Sequence, residues 1–166
     1  MHETIERLSG VQDRDDVARI LLAFALGRAR RAAIFVVRGG VLLGWDGAGE
    51  GVDGRALRAL KFPLDRFAAC SKVVDGRSPL IGNPAPDIER SEIRQFLRAL
   101  GGVPPRSALI APVLLRDRVV NLLYADAGPG ADAPERAGEI VDVLRGVPRA
   151  FAALLRRRKA MVTDEA

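Results

Sequence analysis

SALIAPVLLRDRVVNLLYAD, residues 107–126, decides how the rest of the chain is read. Two apolar runs of strand length flank a charged turn, Arg116-Asp117-Arg118, which is the pattern of a β-hairpin. Leu109, Ala111 and Val113 alternate with Ala108, Ile110 and Leu114, so both faces of the first strand are apolar and both must be covered. Two residues are out of place. Pro112 lacks the ladder donor, and Asn121 brings an amide that needs partners once it is desolvated.

Upstream, AAIFVV and VLLGW around Arg38-Gly39-Gly40 read as a second hairpin. A third strand is expected near Leu60–Leu64 and a short one at Leu80-Ile81. Helical spacing marks a short lead-in carrying Ile5 and Leu8, then a helix from Asp13, its N-cap, to about Arg30. Further helices are expected over Asp65–Asp75 and from Ile88 or Ser91 to Leu100. Asp132-Ala-Pro-Glu135 has the form of a capping box opening a last helix, which Pro148 should kink or split. With hairpins at both ends, the fold class is α+β: an antiparallel sheet covered by helices on both faces, a three-layer α/β/α sandwich. The division expected is a lead-in helix over 1–12, one domain over 13–158 and a flexible tail over 159–166.

At 166 residues and 48% hydrophobic, the chain suits one domain able to bury about two-thirds of its unfolded surface. No stretch approaches a membrane span, and MHETIERLSG lacks the form of a signal peptide, so membrane insertion is not expected. The single cysteine, Cys70, excludes internal disulfides and cysteine zinc sites and points to the cytoplasm. The net charge of +5 is carried almost wholly by arginine, and no aromatic is interleaved with the basic run Arg156–Lys159. That composition argues against specific nucleic-acid recognition.

Gly49-Glu-Gly-Val-Asp-Gly54 matches G-x-G-x-x-G, but Glu50 and Asp53 repel phosphate and only a weak helical pattern follows. It reads as a flexible surface loop, and no cofactor is expected. Asp65, Asp75, Asp87 and Glu92 read as helix caps or solvated faces, and Asp126 as a strand-end cap. With His2 alone in the tail, there is no usable set of metal ligands and no catalytic residue to nominate.

The opening hairpin, together with VVDGRSPLIGN at 73–83, resembles the GAF domain, a relative of the PAS sensor fold. The resemblance spans about Asp13 to Leu155. Its pattern has the strand proline, the short charged turn and the aromatic followed by an acid, here Tyr124 and Asp126. Two positions depart from it: Arg118 and Asn121 stand where glycine is common. The resemblance implies a cytoplasmic bacterial regulatory or sensory domain without enzymatic activity. Such a domain relays a small-molecule or protein signal, commonly as a homodimer through its terminal helices. The alternative is a degenerate domain serving only as a protein–protein scaffold. The methionine-sulfoxide-reducing members use several cysteines, and the N-K-F-D-E signature of cyclic-nucleotide binders is absent. In some phytochrome-type domains a cysteine is the chromophore attachment point; the one cysteine here, Cys70, lies among the apolar Phe67, Ala68, Ala69 and Val73.

In such domains the ligand cavity lies between the sheet and the central helices. Its expected walls are Trp45, Phe62, Phe67, Cys70, Ile81, Ile93, Phe96, Asn121 and Tyr124, unless the aromatics simply fill the core. The Asn121 side-chain amide is expected to be hydrogen-bonded within the protein.

Overall fold

The computed structural model describes residues 1–11 and 13–164. Among these, six strands form one antiparallel sheet in the order β3-β2-β1-β6-β5-β4. The central pair is β1 (Arg31–Arg38) and β6 (Arg118–Asp126), with β2 (Val41–Gly49) and β5 (Ala108–Leu115) outside them. Two three-residue strands, β3 (Lys61–Pro63) and β4 (Leu80–Gly82), close the edges. Short edges limit the unpaired backbone offered to other chains.

Period-two alternation sorts the strand residues into two cores. Ala32, Ile34, Leu109, Ala111, Val113, Leu123 and Ala125 meet the terminal helices. Those helices are α1 (His2–Ser9), α2 (Arg14–Leu26), α6 (Ala137–Leu144) and α7 (Val147–Asp164). Ala33, Phe35, Leu42, Ile110, Leu122 and Tyr124 meet the central layer. That layer holds α3 (Gly54–Arg58), α4 (Ala68–Gly76) and α5 (Ser91–Ala99). The three-layer α+β sandwich expected from the hairpins is the observed architecture.

Local details follow the sequence in most places. Asp13 caps α2 by accepting from the Asp16 N–H at 2.7 Å. Pro112 lies beyond the part of β5 that β4 covers, since β4 pairs only with Ala108–Ile110, so no strand on that side needs its missing donor. The final helical pattern is divided, α6 ending at Leu144 and α7 starting at Val147, with Pro148 in its first turn. Arg28 Nε ties α2 to α6 through Glu139 at 2.7 Å, and Arg136 donates to the same carboxylate. These arginines, Arg136 first, hold the Glu139 carboxyl below its ordinary range.

Three expectations are corrected. Asp132–Glu135 does not open a helix: α6 starts at Ala137. Asp132 pairs with Arg106, and the Ala133 N–H donates to Ser107 Oγ, so this segment is held against the preceding loop. The glycine-rich stretch is not simply a flexible loop, since β2 runs through Gly49. Gly49 permits a close approach, since a Cβ there would lie 2.1 Å from the Arg30 carbonyl oxygen; earlier on β2, one at Gly44 would lie 1.7 Å from that of Leu57. Asp53, read as phosphate-repelling, caps α3 through the Arg55 and Ala56 N–H groups. Finally, α7 runs to Asp164, into the stretch expected as tail; Glu165 and Ala166 lie outside the described residues.

Candidate functional site

The nine residues expected to wall one cavity separate into three groups. Phe62, Phe67, Cys70, Ile93, Phe96 and Tyr124 do converge, between the sheet and the central helices, and all are buried. The rings interlock: Phe67 and Phe96 have centroids 4.9 Å apart, and Phe96 meets Tyr124 edge-on at 5.2 Å. Phe35 and Phe62 complete the set, at 5.7 Å from Phe96 and 6.0 Å from Phe67. Tilted and edge-to-face rings at these distances pack favourably and leave the interior filled. Cys70 is sealed here, and burial pushes its thiol far up, away from the reactive thiolate.

Trp45 and Asn121 face the other way. Each lies three residues from a neighbour on the central face, Leu42 and Tyr124, and an odd step along a strand reverses the side. At Trp45 a bulge adds to this: Ile34 pairs with Asp46 and Phe35 with Gly44, leaving Trp45 unmatched. Trp45 packs on the terminal-helix core, its Nε1 donating to Asp15 at 3.2 Å with Arg14 over the ring. Ile81 joins neither group; it is 60% exposed on the edge strand β4.

Asn121 is buried, and its Nδ2 donates to the Phe35 carbonyl oxygen at 3.1 Å. The expected internal hydrogen bond is present. The same residue lines an open cavity of about 270 Å³ between the end of the β5–β6 hairpin and α7. The remaining wall is mostly apolar, with Leu115, Val120, Phe151 and Leu154, and Arg14 at the rim. An apolar hollow with few polar groups is how small-molecule sites are built. The cavity therefore lies on the face opposite the expected one.

A polar feature missed in the sequence lies behind the aromatic rings. Arg31 and Asp126, cross-strand partners on β1 and β6, form an ion pair of 2.8 Å with side chains 1% and 0% exposed. Asp126 also accepts from Tyr124 Oη and from the Gly128 N–H. Arg31 Nη1 donates to the Leu100 and Val103 carbonyl oxygens, fastening the end of α5 to the sheet. Burial, reinforced by Asp126, raises the Tyr124 hydroxyl well above its ordinary range, so it stays a neutral donor. Asp126 is thus a structural acid, consistent with the capping role expected. The signal was a charge at the first residue of β1 and the last of β6, but 95 residues separate the partners and only the β1–β6 pairing joins them.

The carboxylates weighed for acid–base chemistry are dispersed. Asp87 lies 3.7 Å from Arg90, and Glu92 is held below its ordinary range first by its own backbone N–H and then by the Ser91 hydroxyl. Among the described residues, no three His, Cys, Asp or Glu side chains cluster as metal ligands, and no helix is long and apolar enough to cross a membrane.

No family model matches the sequence, and no curated protein does. Solved structures do match the fold. The GAF domain of a phosphoenolpyruvate-protein phosphotransferase from Coxiella burnetii superposes with a TM-score of 0.71 at 11% identity, over 96% of this chain and 94% of that one. The GAF-B domain of DevS from Mycobacterium smegmatis gives 0.65 at 23% identity, over 89% and 99%. Free methionine-R-sulfoxide reductase from Neisseria meningitidis gives 0.64 at 13% identity, over 94% and 88%. The strand order, the helices on both faces and these superpositions together establish that this chain has the GAF fold.

Proposed function

We propose that the chain is a regulatory domain without enzymatic activity, which senses a small molecule or partner through its terminal-helix layer. One observation carries this reading: the two faces of the sheet are unequal. The central face is closed by interlocked rings, whereas the terminal face keeps an open apolar cavity bounded by α7. An occupant there touches Phe151 and Leu154 directly and so bears on the position of α7. Similarity to GAF domains of bacterial phosphotransferase and DevS proteins supports a signalling context of that kind.

The groups best suited to chemistry are committed elsewhere. Cys70 is sealed and its thiol raised, and Tyr124 and Asp126 hold one another and Arg31. Relay through terminal helices works through pairing, so the chain is expected to form a homodimer in a bacterial cytoplasm. Sedimentation equilibrium tests this: a dimer is expected, and a monomer at every concentration would remove pairing from the proposal.

The closed central face favours a second reading, a scaffold that binds only another protein. Thermal shift against a metabolite and nucleotide panel separates the two, since a ligand of the native state raises stability by RT ln(1 + [L]/Kd). A reproducible shift supports sensing; a silent panel with a stable protein partner supports the scaffold.

A further inference from the structure

The apolar cavity beneath α7 does not end at its own walls. Leu115, Val120 and Leu155 also line a second depression of about 700 Å³ at the tips of the two hairpins. This neighbour is basic: Arg38, Arg77, Arg116 and Arg118 stand around it, with Asp117 the one acid among its described lining. None of the four arginines lies within 4.0 Å of a described carboxylate, although ten other arginines of the chain do. Four unpaired guanidinium groups around one hollow repel each other and gain from an anion among them.

Backbone conformation singles out the same place. Among the described residues, the non-glycine positions with positive φ are Arg77, Arg116 and Asp117, at 50°, 49° and 61°, and all three line the basic depression. The β5–β6 turn thus holds Arg116 and Asp117 where Asn-Gly would be unstrained. Side chains kept at such cost concentrate where a site uses them.

We propose that this end of the sheet binds an amphipathic small-molecule anion: a phosphate monoester head among Arg38, Arg77, Arg116 and Arg118, and an aliphatic tail in the cavity lined by Val120, Asn121 and Leu154. A doubly charged, multi-acceptor head suits several guanidinium donors, and the adjoining wall, mostly Leu115, Val120, Phe151, Leu154 and Leu155, suits an aliphatic tail. Among the described residues, no aromatic ring lines the basic depression as a stacking platform for nucleic-acid bases. The consequence for α7 rests on the regulatory reading above; the binding itself does not.

Titration calorimetry of the full chain with decyl phosphate, kept below its micelle-forming concentration, tests the site. Saturable binding is expected, with decanol and inorganic phosphate each weaker by about tenfold or more. Arg116→Gln/Arg118→Gln should weaken binding by about tenfold or more, the loss expected for charge-assisted hydrogen bonds. Because Arg116 belongs to a strained turn, Arg38→Gln provides a second variant that leaves that turn intact; it should weaken binding in the same direction. Absence of saturable binding, unchanged affinity in both variants, or association only with anionic lipid vesicles would overturn the proposal. Hydrogen exchange on the same samples keeps the two readings apart. Binding that leaves α7 unchanged retains the site and removes the relay, whereas no binding by a chain that still dimerises removes the site alone.

Discussion

Replacing Asp126 with alanine removes the acceptor of three hydrogen bonds and leaves the Arg31 guanidinium, 1% exposed, without its counter-charge. Breaking a buried pair in this way costs about 3–5 kcal/mol, because the remaining charge stays desolvated. The Tyr124 hydroxyl also loses its acceptor, worth about 1 kcal/mol or more, though losses within one network do not simply add. Domains of this size have about 5–15 kcal/mol in total. The variant should therefore lose a large share of its stability, and its melting temperature should fall by about 10 °C, at about 2–4 °C per kcal/mol. Urea unfolding followed by tryptophan fluorescence measures this, with Trp45 reporting from the opposite core. The double variant Arg31→Met/Asp126→Leu removes both charges and should recover most of the loss. An Asp126→Ala variant within about 1 kcal/mol of the parent, or a double variant as unstable as Asp126→Ala, would contradict the role of the buried pair.

Other consequences follow from the same packing. Phe96→Ala opens the centre of the ring cluster and should cost about 3–5 kcal/mol in denaturant unfolding, against under about 0.5 kcal/mol for a change at exposed Ile81. Gly44→Ala sets a Cβ 1.7 Å from the Leu57 carbonyl oxygen, so α3 must move off the sheet; a loss of about 1–3 kcal/mol or more is expected, and none would contradict the close approach. Cys70 and Tyr124 are both raised in the folded state, so their contribution is complete below the unfolded values near about 8.5 and 10 and is lost as pH rises through and beyond them. Stability measured against pH should fall on the alkaline side, and Cys70→Ala and Tyr124→Phe should each flatten that limb. Glu139 is lowered, so the reverse holds: its contribution is present above the ordinary carboxylate value and lost as pH falls through the folded one. Glu139→Gln should flatten the acid limb.

Much of the fold was legible because it rests on local pattern. Two hairpins, each apolar on both faces, required cover on both sides, and Gly39-Gly40, Asp13 and Pro148 marked a turn, a cap and a break. The candidate site was less legible, and strand parity explains why. Tyr124 and Asn121 are close in sequence and belong to opposite cores, so grouping them by proximity mixed two environments. Trp45 was misplaced for the same reason, with a bulge that its own residues do not announce. The capping-box pattern at Asp132–Glu135 lost to a tertiary contact, Ser107 Oγ taking the Ala133 N–H. The Arg31–Asp126 pair and the arginine-lined hollow each depend on residues far apart in the chain meeting at one end of the sheet. Asn121, the anomaly of the opening stretch, turned out to do two things: it ties itself to β1 and it borders the open cavity.

Relay from the cavity requires that α7 move separately from the sheet it covers. Val147, Ala150, Phe151 and Leu154 pack α7 on the core, and among the described residues its polar ties are slight: Arg157 reaches the Val11 and Ser9 carbonyl oxygens at 3.3 and 3.5 Å, long for hydrogen bonds. Native-state hydrogen exchange on the free chain measures this directly, element by element. The α7 amides should open by local unfolding at a free energy well below that of β1, β6 and α5. If α7 exchanged only with global unfolding, as the central strands do, it would be part of the rigid core and the proposed relay would be contradicted.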